Sequence, residues 1–131
     1  MSAFPLTSLM TLLAVLLMFA TSVNVGKARV KYKIAAPAIT GHEIFDRAYR
    51  VQMNTLEAAA MLLPTLWVYA LFVDDISAFV IGMIWLVGRI WYAAAYQINP
   101  AKRGPGFGIG FLALAALWVA AAGKIIMTLL Y

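Results

Sequence analysis

Four long apolar runs set the pattern of this chain, and polar residues gather in the short stretches between them. The first run, Phe4 to Val25, carries no charge. As a helix rising 1.5 Å per residue, it is long enough to cross a hydrocarbon core of about 30 Å. Pro5 suits a first helical turn. The opening MSAFPL has no basic residue, so a retained spanning helix is expected rather than a cleaved signal peptide. Next, Lys27, Arg29, Lys31 and Lys33 alternate with Ala28, Val30, Tyr32 and Ile34. A lone strand would have no partner, so this stretch reads as helix continuing just beyond the membrane. A turn around Pro37 to Gly41 follows, with His42 as a solvated loop residue.

The second helix is expected to start near Glu43 or Ile44 and to turn apolar from Leu56. Pro64 removes a backbone donor within it and favours a kink. The short acidic turn Asp74-Asp75-Ile76-Ser77 makes helices two and three a tight antiparallel hairpin. After the third run, Asn99-Pro100 and Gly104-Pro105-Gly106 break the chain on either side of Lys102 and Arg103. In the fourth run Gly104, Gly108, Ala116 and Ala120 fall at multiples of four and read as a close-packing stripe. The expected elements are helices at about 5–26, 44–72, 77–98 and 106–129, forming one all-α, four-helix transmembrane domain over residues 1–131.

Composition agrees with this. Of 131 residues, 65% are hydrophobic and 11% charged, which leaves no room for a separate soluble domain. The net charge of +5 does not point to nucleic acid, because the basic residues cluster in a short loop between apolar spans. That placement favours lipid headgroups or a small anion. With no cysteine and one histidine, disulfides, a cysteine nucleophile and an ordinary zinc or iron–sulfur site are excluded. Any thiol chemistry must use a substrate's thiol. The first loop and the start of helix two hold six Lys/Arg, the third loop two and the second none. Loops one and three are therefore expected to face the cytosol, with both termini on the opposite side.

Against this apolar background, FDRAYRVQMNTLEAAAMLLP (Phe45 to Pro64) is unusual. At 100° per residue, Arg47, Arg50, Asn54, Glu57 and Met61 share one face, while Gln52 points elsewhere. On helix three, Trp85, Arg89, Tyr92 and Tyr96 also share a face. Ionisable groups at membrane depth face other helices or wet cavities and often mark a site. Glu57 is the only acid deep enough to meet Arg89, so the two stripes are expected to face each other. The structural alternative is an Arg50–Glu57 ion pair that staples helices. Tyrosines near a membrane edge are often belt residues, and Lys102 and Arg103 suit positive-inside anchors.

The pattern FDRAYRVQMNTLE, a Pro-interrupted apolar run, GRIWYAAAYQ and a basic loop resembles the MAPEG family, membrane-associated proteins in eicosanoid and glutathione metabolism. The likeness is to its branch of microsomal glutathione transferases and leukotriene-C synthase. It covers nearly the whole chain, and the spacing Arg50, Asn54, Glu57 is its most specific part. The resemblance implies a homotrimer of four-helix subunits that binds glutathione between neighbours near the cytosolic face. It implies that Arg50, Asn54, Glu57, Tyr92 and Tyr96 hold glutathione from one subunit, Arg29 and Gln52 reach it from the next, and Arg89 supports the site. Arg103, seven residues after Tyr96, matches the arginine that contacts the glutathione sulfur. Two positions depart from the pattern: a tyrosine that often follows the motif glutamate is Ala58, and a second arginine near the sulfur is Val30. These departures bear on lipid specificity more than on glutathione binding.

The residue types suit such a ligand. Glutathione carries two carboxylates, one ammonium and a thiol. Arginines form bidentate pairs with carboxylates, and Glu57 can accept from the ammonium. A free thiol has a pKa of about 8.5. Arginine stays protonated and is no base, so its role would be to stabilise the thiolate. Lowering the thiol pKa by about two units takes roughly 2.7 kcal/mol of preferential stabilisation. The expected function is glutathione transfer to an apolar electrophile, extending to peroxidase action on lipid hydroperoxides, with no metal. The competing readings are a non-catalytic lipid-binding scaffold of the same family and a small four-helix exporter.

Overall fold

A computed structural model describes residues 3–131 as four long helices and one short turn of 3-10 helix. Met1 and Ser2, which belong to the opening read for a signal peptide, lie outside the described residues. The helices are α1 (Pro5–Tyr32), α2 (Glu43–Phe72), α3 (Asp75–Ile98) and α4 (Gly104–Leu130), with η1 (Pro100–Lys102) before α4. All four are long and apolar enough to cross a membrane. Each follows its predecessor through a short connection, so the chain runs up and down. The C-terminal ends of α1 and α3 and the N-terminal ends of α2 and α4 share one end of the bundle.

Helix α1 runs past Gly26 to Tyr32, so Lys27, Arg29 and Lys31 are helical, as expected for a helix that continues just beyond the apolar span. Lys33 stops it in the left-handed conformation, φ 56° and ψ 45°, while the Ile34 N–H donates to the Arg29 carbonyl at 2.9 Å. Gly41, at φ 152°, then turns the chain into α2, and a Cβ there would press on Ile34 at 3.3 Å. His42 is more than a solvated loop residue. Its Nδ1 accepts from the Ile44 N–H at 3.1 Å as the N-cap of α2, and its ring stacks on Tyr32 with centroids 3.8 Å apart.

At the other end, Asp75 caps a helix that is not its own. Its carboxylate accepts from the N–H groups of Leu6 (3.0 Å) and Thr7 (2.8 Å) and from the Thr7 hydroxyl (2.7 Å). This supplies partners for donors that the start of α1 leaves open. Asp74 caps α3 by accepting from the Ser77 hydroxyl and N–H. The Ser77 hydroxyl, with the backbone donor second, holds the Asp74 carboxyl below its usual pKa.

Met10, Ala14, Leu62, Leu66, Trp85 and Leu117 form the fully buried centre of the bundle. The most extensive helix pair is α3 with α4, and glycine sets its closeness. A Cβ at Gly106 would overlap the Tyr92 backbone nitrogen, and one at Gly88 would sit 2.7 Å from the Gly110 nitrogen. The packing stripe of α4 is therefore Gly106, Gly110, Ala113, Leu117 and Ala121. The expected stripe is out of phase: Gly104 and Gly108 have nothing within 4 Å of a built Cβ, and Ala116 and Ala120 are exposed. Strict spacings of four drift round a helix of 3.6 residues per turn, whereas the observed stripe mixes spacings of three and four. Large apolar side chains such as Leu12, Phe19, Val80 and Leu112 point outward, as suits a lipid-facing surface.

Candidate functional site

The polar residues of α2 and α3 meet near the basic end of the bundle. Asn54, Glu57, Ala58 and Met61 from α2, Arg89 and Tyr92 from α3, and Arg103 and Phe107 around the start of α4 line one pocket of about 250 Å³. The residue phases dictate this. Asn54, Glu57 and Met61 lie three and four apart on α2, as Arg89 and Tyr92 lie three apart on α3, so each set presents one face. The small residues of α4 allow close approach: Gly106 backs onto Tyr92, and a Cβ at Gly110 would come within 3.2 Å of the Arg89 side chain.

Inside the pocket wall, the Asn54 amide donates to the Tyr92 hydroxyl. The Arg89 guanidinium lies 4.2 Å from the Tyr92 ring centroid, a cation–π arrangement. Arg89 is 4% exposed, and its Nε and Nη2 have no hydrogen-bond partner among the described residues. Buried donors of this kind are rare and call for an explanation. Glu57 shares the pocket with Arg89, so the two polar stripes do face each other. No ion pair joins Glu57 to Arg89 or to Arg50 among the described residues, where the one ion pair is Arg47–Glu43. The stapling pair weighed as the structural alternative is therefore not formed.

The other expected residues take different places. Tyr96 lies one turn beyond Tyr92, with ring centroids 5.7 Å apart. Arg50 is exposed one turn before Asn54 and Gln52 is half-buried on another face of α2; neither lines the pocket. Arg29 is also outside it: its Nη1 donates to the Ala38 carbonyl at 2.6 Å and its guanidinium stands 4.9 Å from the buried Phe45 ring. Arg47, on the polar stripe of α2, has a structural task. It donates to the carbonyls of Gln97 (3.2 Å) and Ile98 (3.0 Å), satisfying the open C-terminal end of α3. Arg103 reaches the pocket from the η1–α4 turn, with its Nη1 donating to the Pro100 carbonyl at 2.9 Å.

Phe107 and Ala58 complete the wall. Phe107 was missed in the sequence, where it reads as one more apolar residue; its spacing of four from Arg103 is the available signal. Met61 has two roles. It lines the polar pocket and also an apolar groove of about 480 Å³ between α2 and α4, with Pro64, Thr65, Phe111 and Trp118 among its walls. Met61 thus borders both spaces. Among the described residues, no group of three or more His, Asp or Glu is placed to hold a metal ion.

Comparison with known proteins places the chain among relatives. The chain is 44% identical over 122 residues to the uncharacterized protein sll1147 of Synechocystis, covering 93% of this chain and 89% of that one. It is 37% identical over 98 residues to human microsomal glutathione S-transferase 2, covering 73% of this chain and 67% of the relative. With bovine leukotriene C4 synthase it shares 34% identity over 93 residues, 71% of this chain and 62% of the relative. The MAPEG family profile matches residues 7–123. By that match, over nearly its whole length, the chain belongs to the MAPEG family.

Proposed function

We propose that this protein is a membrane glutathione transferase that conjugates glutathione to apolar electrophiles and also reduces lipid hydroperoxides. The observation that carries the reading is the convergence of Asn54, Glu57, Arg89, Tyr92 and Arg103 on one pocket in an otherwise apolar bundle. Relatives named microsomal glutathione S-transferase 2 and leukotriene C4 synthase support it.

In this reading Glu57 accepts from the ammonium of glutathione, and the Arg89 guanidinium keeps the pocket positive toward its carboxylates. Arg50 and Tyr96 extend the binding surface at the pocket rim. Arg103 stands beside the sulfur and stabilises the thiolate as a fixed charge, and the thiol proton leaves to solvent. The thiolate attacks the electrophilic carbon, a carbon–sulfur bond forms, and the leaving group departs with its electron pair. In the peroxidase reaction the thiolate attacks the distal hydroperoxide oxygen and the alkoxide leaves and is protonated. A second glutathione then attacks the oxidised sulfur, giving disulfide and water.

The apolar groove that shares Met61 with the pocket suits the second substrate, which would arrive from lipid. Arg29 and Gln52 do not line their own chain's pocket; in a homotrimer they would serve the neighbour's. The basic end of the bundle, by its charge, is assigned to the cytosol. The test is glutathione binding by the purified protein in mild detergent, followed by turnover of an aryl halide and of a lipid hydroperoxide. Binding and turnover are expected. Binding of apolar lipid without glutathione binding would favour the non-catalytic scaffold.

A further inference from the structure

Neighbouring residues of the α3–α4 hairpin face opposite ways. Tyr92 is 3% exposed and lines the polar pocket, whereas Trp91 is 49% exposed and lines a second groove of about 500 Å³ on the outer side. The same division recurs at the turn, where Arg103 borders the polar pocket and Lys102 borders the outer groove. The groove's other walls are Ala94, Ala95, Ile98 and Pro105. It is an apolar trough, closed at its loop end by one cation and containing no acidic residue. The Lys102 ammonium has no hydrogen-bond or ion-pair partner among the described residues. Its volume lies in the range of small-ligand sites.

We propose that this outer groove binds an anionic membrane phospholipid, with its phosphate on Lys102 and one acyl chain laid along Trp91, Ala94, Ala95 and Ile98. Charge complementarity selects the headgroup, because a basic residue at the end of a transmembrane helix attracts anionic lipid. The apolar walls select a chain-bearing ligand over free phosphate, which would gain only the lysine. Trp91, about two helical turns below the Ile98 end of α3, offers the acyl chain a broad apolar ring at that depth. The site is separate from the polar pocket and does not depend on the reaction proposed there.

The test is native mass spectrometry of the full chain in mild detergent, incubated with equal amounts of phosphatidylglycerol and phosphatidylcholine carrying the same acyl chains. The parent should retain the anionic lipid in preference, by roughly fivefold for one cation near the headgroup. Lys102→Gln should bring the two lipids close to parity. Trp91→Ala should lower retention of both lipids. Lys27→Gln, which removes an exposed charge elsewhere at the same end of the bundle, should leave the preference intact. Chain-free glycerophosphoglycerol should fail to displace the bound lipid. Equal retention of both lipids by the parent would overturn the site, as would equal loss in Lys27→Gln and Lys102→Gln. A change in subunit number in Lys102→Gln or Trp91→Ala, with no lipid on the parent, would make the groove a contact between copies of this chain.

Discussion

The guanidinium of Arg89 lies 4.2 Å from the centre of the Tyr92 ring, and the Tyr92 hydroxyl accepts from the Asn54 amide. Two helices and three polar side chains are thereby coupled, yet two Arg89 nitrogens have no hydrogen-bond partner among the described residues. An unsatisfied buried donor costs about 1–3 kcal/mol, which an anionic ligand beside it can offset. Arg89→Met should therefore leave the unliganded protein's thermal stability nearly unchanged, while losing most of the stabilisation that glutathione gives the parent. Thermal unfolding with and without glutathione measures both. A variant that is strongly destabilised when empty but normally protected by glutathione would make Arg89 a purely structural residue.

Glu57→Gln should weaken glutathione binding by roughly 10- to 100-fold, the worth of a charge-assisted hydrogen bond. Because Glu57 forms no ion pair among the described residues, the folded yield should not fall. Calorimetric titration of the purified variant reads the affinity. Unchanged affinity would remove Glu57 from the ligand.

The α3–α4 contact predicts opposite responses to one substitution at two glycines. Gly106→Ala places a methyl group against the Tyr92 backbone and should cost about 1–3 kcal/mol by overpacking, with loss of glutathione binding as Tyr92 shifts. Gly108→Ala meets nothing within 4 Å and should change stability by less than about 1 kcal/mol. Chemical or thermal unfolding of the two variants side by side checks this. Equal effects would mean that the stripe is misassigned or that Gly108 packs against another subunit.

Asp74 gives a pH dependence of stability. Its carboxyl titrates below its usual value because the Ser77 hydroxyl and N–H bond to the ionised form. The folded state thus binds this proton less readily than the unfolded state. The contribution is complete above the ordinary Asp pKa of about 3.9 and is lost as pH falls through the lower, folded value. Asp74→Asn keeps a capping oxygen but removes the titration. Its melting temperature should fall less than the parent's between about pH 6 and about pH 3. Parallel curves for the two proteins would contradict the assignment.

Helix number and the polar stripe of α2 were legible because burial in lipid forces long apolar runs and makes each charge conspicuous. The end of α1 was less so, because its last turns alternate Lys or Arg with apolar residues and nothing local marks Lys33 as a left-handed stop. Arg47 and Arg50 look alike from sequence, but only the structure gives Arg47 the carbonyls of Gln97 and Ile98. That use depends on where α3 ends, which no local pattern encodes. The α4 stripe failed for a geometric reason, since many small residues offer several phases and only contact with Tyr92 and Arg89 selects one.

In the proposed function the pocket binds glutathione and holds it as a thiolate beside Arg103. Ultraviolet difference absorbance of the thiolate, recorded against pH at saturating glutathione, tests it directly in the parent, Arg103→Ala and Lys102→Ala. A thiolate at neutral pH is expected in the parent and in Lys102→Ala. In Arg103→Ala the midpoint should move up by about two pH units, the shift a single close guanidinium can supply, while glutathione stays bound. No thiolate signal in the parent, or the same midpoint in the parent and Arg103→Ala, would contradict it.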